Sequence, residues 1–103
     1  MTIQGITKME KALVMNEADN TATAISDLNC GQSISVLIGE KRVEILLAQD
    51  IPFGHKFALK PIPKGDQVIK YGAGIGLATD NIDTGMHVHS HNLEGARGRG
   101  DRK

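Results

Sequence analysis

Apolar side chains recur at every second position along short stretches of this chain, and turn residues separate the stretches. In residues 33–38 the pattern puts Ile34, Val36 and Ile38 on one face, and in residues 43–47 it does the same for Val43, Ile45 and Leu47. A period of two marks a strand with one buried face. Residues 39–42, Gly-Glu-Lys-Arg, are expected to form the hairpin loop between them. Shorter pieces of strand character cover residues 11–15, 21–25, 55–60, 67–71 and 77–82. Proline and glycine gather at 51–54 and 61–66, where proline presets φ and glycine permits φ > 0. Nothing sustains a helical period beyond a turn or two. The pattern predicts a compact all-β domain of short strands with little helix, sandwich-like or barrel-like, and without an internal repeat.

At 103 residues the chain makes one domain, large enough for a core with little to spare. Residues 1–9 read as a loose N-terminus and residues 94–103 as a flexible Gly/Arg tail, which leaves 10–93 as the domain. With Phe53, Phe57 and Tyr71 as the whole aromatic complement, the core must come from Val, Ile, Leu, Ala and Met. Net charge is zero, divided as +2 on the last ten residues and −2 on the rest. That balance argues against a nucleic-acid surface, which needs a basic stripe with aromatics for stacking.

Cys30 is the one cysteine, so no internal disulfide forms and no iron–sulfur cluster is held by this chain alone. It reads as a small, partly buried loop residue in a reducing compartment. The N-terminal residues lack the apolar run of a signal peptide, and no stretch approaches the length of a membrane helix. A cytoplasmic protein without membrane contact is expected.

The chemistry gathers near the C-terminus, where Gly85-Met86-His87-Val88-His89-Ser90-His91-Asn92-Leu93 sets three of four histidines at i, i+2 and i+4. On a strand, these three imidazoles line one face. Imidazole binds transition metals, moves protons near neutral pH and donates to carboxylates. The spacing departs from structural zinc patterns, and no fourth ligand is obvious. His55, Asp66, Asp80 and Asp83 are candidates, with a water or substrate oxygen as another, and open positions are what a catalytic metal needs. Gly72-Ala73-Gly74-Ile75-Gly76 does not read as a nucleotide site, because the dinucleotide fingerprint needs a glycine where Leu77 stands. A tight loop between two strands is expected there, and no nucleotide.

Several of these segments, taken in order, resemble a known family. Ile51-Pro52-Phe53-Gly54-His55-Lys56-Phe57-Ala58-Leu59, Lys64-Gly65-Asp66, Val68-Ile69-Lys70-Tyr71-Gly72, Ile75-Gly76 and the histidine run are similar to the SAF domain of altronate and galactarate dehydratases. The small subunit of (2R)-sulfolactate sulfo-lyase looks like the same module standing alone. The resemblance covers roughly residues 10–93, with Met86 where a small acidic residue is expected.

The resemblance implies a β-clip fold and a cytoplasmic hydro-lyase or sulfo-lyase in which this chain accompanies a larger catalytic subunit. It also implies a small hydroxy-acid substrate. Eliminating a β-hydroxyl needs a base, an acid or Lewis acid for the departing oxygen, and donors for the carboxylate. On that reading His87 and His89 are catalytic and ligate a divalent metal, iron, manganese or zinc, unless the partner holds it. His55, Lys56, Lys70, His91 and Asn92 then bind substrate. Two other classes stay open, a non-catalytic ligand-binding module and a self-contained cupin-like metalloprotein, and so does homo-oligomerisation.

Overall fold

A computed structural model of the chain describes residues 10–95, so the expected loose N-terminus and most of the expected tail lie outside the described residues. Within them there is no helix, and nine strands follow in order: β1 (Ala12–Leu13), β2 (Thr21–Ala24), β3 (Ser33–Ile38), β4 (Lys41–Leu46), β5 (Lys56–Ala58), β6 (Gln67–Lys70), β7 (Ala73–Ala78), β8 (His87–Val88) and β9 (Leu93–Gly95). They form three antiparallel sheets, ordered β1-β2-β5-β8, β3-β4 and β6-β7-β9. The all-β expectation holds.

A repeated device organises these sheets, contrary to the expectation of no repeat. Four times the chain carries a small or aliphatic residue, then Leu or Ile four positions on, Gly three further, and a large apolar residue three beyond that. The copies are Ala24, Leu28, Gly31, Ile34; Leu47, Ile51, Gly54, Phe57; Ala58, Ile62, Gly65, Val68; and Ala78, Ile82, Gly85, Val88. Each glycine sits at φ between 84° and 93°, a region closed to most side chains.

The copies close on one another in pairs. Leu28 and Ile51 exchange both backbone hydrogen bonds at 2.9 Å, while Gly31 N–H donates to the Leu47 carbonyl and Gly54 N–H to the Ala24 carbonyl. Ile62 and Ile82 repeat the exchange at 2.7 and 2.9 Å, with Gly65 N–H on the Ala78 carbonyl and Gly85 N–H on the Ala58 carbonyl. Side chains add cross-braces. Asp27 accepts from Phe53 N–H, Asp50 from Cys30 N–H and Asn81 from Lys64 N–H, whereas the fourth equivalent position holds Pro61.

Each pair, or clasp, has its own core. Ala24, Leu28, Ile34, Leu47, Ile51 and Phe57 belong to one buried cluster. Ala58, Ile62, Val68, Ala78, Ile82 and Val88 are the buried members of the other. Phe57 and Ala58 are neighbours in β5 and point to opposite sides of it, so this strand is the wall between the two cores. A polar seam also ties the halves together: Asn20 accepts from Ile69 N–H and donates to the Gln67 carbonyl, and the Thr21 hydroxyl donates to the Ile69 carbonyl.

Several expected boundaries move. The β3-β4 turn is two residues, because Ile38 pairs with Lys41, and Lys41 and Arg42 are strand residues whose exposure conceals the period. Residues 73–76 are the start of β7 rather than a loop, and the turn before them is Tyr71-Gly72. Glycine is required there, since a Cβ on Gly76 would collide with the Glu94 carbonyl oxygen of β9. That pairing carries regular structure to Gly95, past the expected boundary at 93. Of residues 77–82 only the first two are strand, and Ile82 serves the second clasp. Cys30, expected to be partly buried, is exposed.

Candidate functional site: a histidine cluster across two strands

The site forms where β5 meets β8. Lys56 pairs with Val88 and Phe57 with His87, and the same antiparallel register continued by one step sets His55 opposite His89. Side chains directly opposite share a face. His87 and His89, two apart, share it as well. Three imidazoles converge as a result, with one ligand nitrogen from each of His55, His87 and His89 lying within 4.8 Å of the others. The His55 and His89 rings stack at 3.9 Å and 12°, and His55 Nδ1 lies 2.8 Å from His87 Nε2, close enough to share a proton or a metal.

The histidine run is therefore not one continuous strand. β8 stops at Val88, and Asn92 N–H donates to the His89 carbonyl to close a turn. His91 lies in that turn, exposed, with its ring 5.2 Å from that of His87 and tilted by 43°. The third partner of His87 and His89 is instead His55, one residue before β5. Sequence spacing alone named His91 for the shared face because it assumed an unbroken strand. Asp66, Asp80 and Asp83 take no part in the group, which among the described residues consists of histidines alone.

Asn92 is buried and turned inward, its Oδ1 accepting from His89 N–H at 2.9 Å and its Nδ2 donating to the His87 carbonyl at 2.8 Å. Those bonds occupy the groups that were expected to meet substrate. Gln49, which no pattern in the sequence singles out, accepts from His87 N–H at 2.9 Å. It comes from the β4-β5 connection, which the Ala48 N–H bond to the Gly85 carbonyl holds beside β8.

Lys56 stands beside the cluster and Lys70 near Lys56. Burial lowers the Lys56 ammonium from its ordinary pKa, and the nearby Lys70 charge lowers it further. Lys70 stands 4.9 Å over the Tyr71 ring. Burial also holds His87 below its usual value, followed by the charges of His55, His91, His89 and Lys56. His89 is lowered by burial first and then by His55, Lys56 and His91. The lowered values of His87 and His89 favour the neutral imidazole that ligates a metal, and the Lys56 ammonium beside them can attract an anion.

Residues 10–96 match the altronate/galactarate dehydratase SAF domain. The chain belongs to that family. This SAF domain is 49% identical over 74 residues to an altronate dehydratase of Escherichia coli (strain K12), covering 72% of the chain and 14% of that protein. Against an altronate dehydratase of Bacillus subtilis (strain 168) it is 34% identical over 86 residues, 84% of the chain and 16% of that protein. A (2R)-sulfolactate sulfo-lyase subunit alpha of Chromohalobacter salexigens is 30% identical over 88 residues, covering 82% of the chain and 94% of that subunit. The chain thus spans a small fraction of the altronate dehydratases and nearly all of the sulfo-lyase alpha subunit. Among the described residues no helix is long and apolar enough to cross a membrane.

Proposed function

We propose that this SAF domain is the small component of a cytoplasmic lyase acting on a small hydroxy-acid, altronate/galactarate dehydratase-like or sulfolactate sulfo-lyase-like. In this reading its histidine cluster lines an active site shared with a larger catalytic subunit. The convergence of His55, His87 and His89 within 4.8 Å carries the proposal.

Three imidazole nitrogens are a donor set that suits iron or zinc, and oxygen ligands from substrate or partner would admit manganese. His87 and His89, with His55 as the third, would hold the ion, which when bound acts as a Lewis acid toward a substrate oxygen. The chain's own residues do the rest. Lys56, Lys70 and His91 attract and orient the carboxylate, and any imidazole not engaged by a metal can pass a proton to the departing oxygen. Abstraction of the proton beside the carboxylate falls to the larger subunit.

Tagged protein isolated gently from its own cells should carry that larger subunit, seen as a stoichiometric partner by native mass spectrometry. In the isolated complex, His87→Ala with His89→Ala should abolish dehydration or desulfonation while leaving assembly intact. Full activity of the double variant would remove the site. A chain that turns substrate over alone, with a stoichiometric metal, would favour a self-contained metalloprotein, and binding without turnover in any assembly would favour a ligand-binding module.

A further inference from the structure

The backbone that carries the histidines has its own support. β8 lies at the edge of its sheet, and Phe57 and His87 form a pair whose backbone groups do not bond each other, since the bonded neighbour is Ala58 N–H on the Met86 carbonyl at 3.0 Å. In an antiparallel ladder such pairs alternate, so the His87 N–H and C=O point away from β5, toward the open side. No further strand covers that side in the described sheet. Two side-chain amides take its place: the Gln49 oxygen meets His87 N–H and the Asn92 amide meets the His87 carbonyl. Asn92 also holds both polar backbone groups of His89, its Oδ1 taking the N–H and its own N–H going to the carbonyl. Every backbone polar group of His87 and His89 is thereby fixed, and with them the direction of both rings.

We propose that Gln49 and Asn92 are positioning residues that replace a missing strand and set the His55, His87 and His89 nitrogens at their mutual distances. The inference rests on the cluster being the functional site, and it concerns how the cluster is held. Gln49 is exposed, so water can take over its hydrogen bond when it is removed. The fold should then survive while the orientation of His87 is lost.

The full chain carrying 15N-labelled histidine is compared with Gln49→Ala, Gln49→Glu and Asn92→Asp. One readout is the ring-nitrogen shifts and the coupling across His55 Nδ1 and His87 Nε2, and the other is Co2+ affinity from visible absorption. Gln49→Ala should melt close to the parent, lose the His55–His87 signature and bind Co2+ about 10-fold more weakly, as loss of an orienting partner does. Gln49→Glu, which restores an acceptor, should recover both. Asn92→Asp keeps the acceptor for His89 but not the donor for His87, and should move the signature in the same direction as Gln49→Ala. A parental signature in folded Gln49→Ala and Asn92→Asp overturns the proposal. If the parent binds no Co2+ while Gln49→Ala still loses the ring contact, the positioning role stands and the metal reading fails.

Discussion

His87 and His89 tie the chemistry of the site to acidity. Both have pKa values held below the ordinary 6.5, by burial first and then by neighbouring cations. Above 6.5 the rings are neutral whether the chain is folded or not, so they leave stability unchanged. As pH falls below that value the unfolded chain takes up protons that the folded chain resists, and stability is lost. Melting temperature should therefore decline as pH drops from about 6.5, the unperturbed histidine value. The decline should be shallower in a His87→Gln, His89→Gln variant, and equal slopes would show that other groups govern the acid limb. At this scale the sequence was informative about identity and poor about partnership. His55, Lys56, His87 and His89 were all visible as candidates, but the turn at Asn92 is closed by local bonds that an i, i+2, i+4 spacing conceals, and the reach of Gln49 is a tertiary contact that spacing does not encode.

At the scale of elements the clasp decides the outcome. Ile51 and Ile62 occupy equivalent positions, almost completely buried, one in each core. Either one changed to alanine should cost about 2–5 kcal/mol, since the surrounding backbone is pinned by the clasp hydrogen bonds and cannot collapse into the space. Chemical denaturation checks this, and a cost below about 1 kcal/mol at both positions would mean the clasps relax far more than core packing usually allows. The strands β3 and β4 were legible because their inner faces alternate cleanly. The clasps were not, because Leu28, Ile51, Ile62 and Ile82 recur at uneven offsets of 23, 11 and 20 residues, and a period search sees only even ones. β7 was hidden for another reason: its glycines have no side chains with which to show a pattern.

For the whole molecule, the cluster draws on both halves. His55 follows a turn of the first clasp, whose N–H to carbonyl bond runs from His55 to Pro52, while His87 and His89 follow the second. A metal that binds all three favours the docked arrangement over any in which the halves are apart. At a metal concentration 100 times its dissociation constant the gain is about 2.7 kcal/mol. For a domain of this size that should raise the melting temperature by roughly 10 °C or more. The rise should disappear in His55→Ala and on chelation. A rise that survives loss of His55 would place the ion elsewhere.

The wall between the two cores is one three-residue strand, β5, with Phe57 facing one way and Ala58 the other. Neither core can be completed without it, and the histidine cluster begins one residue before it. An assembly pathway that forms the first clasp and stalls would hold His55 in place with nothing opposite. The cluster is thus a feature of the finished molecule, and metal uptake or docking to a larger subunit through it would select chains that have completed folding over those that have not.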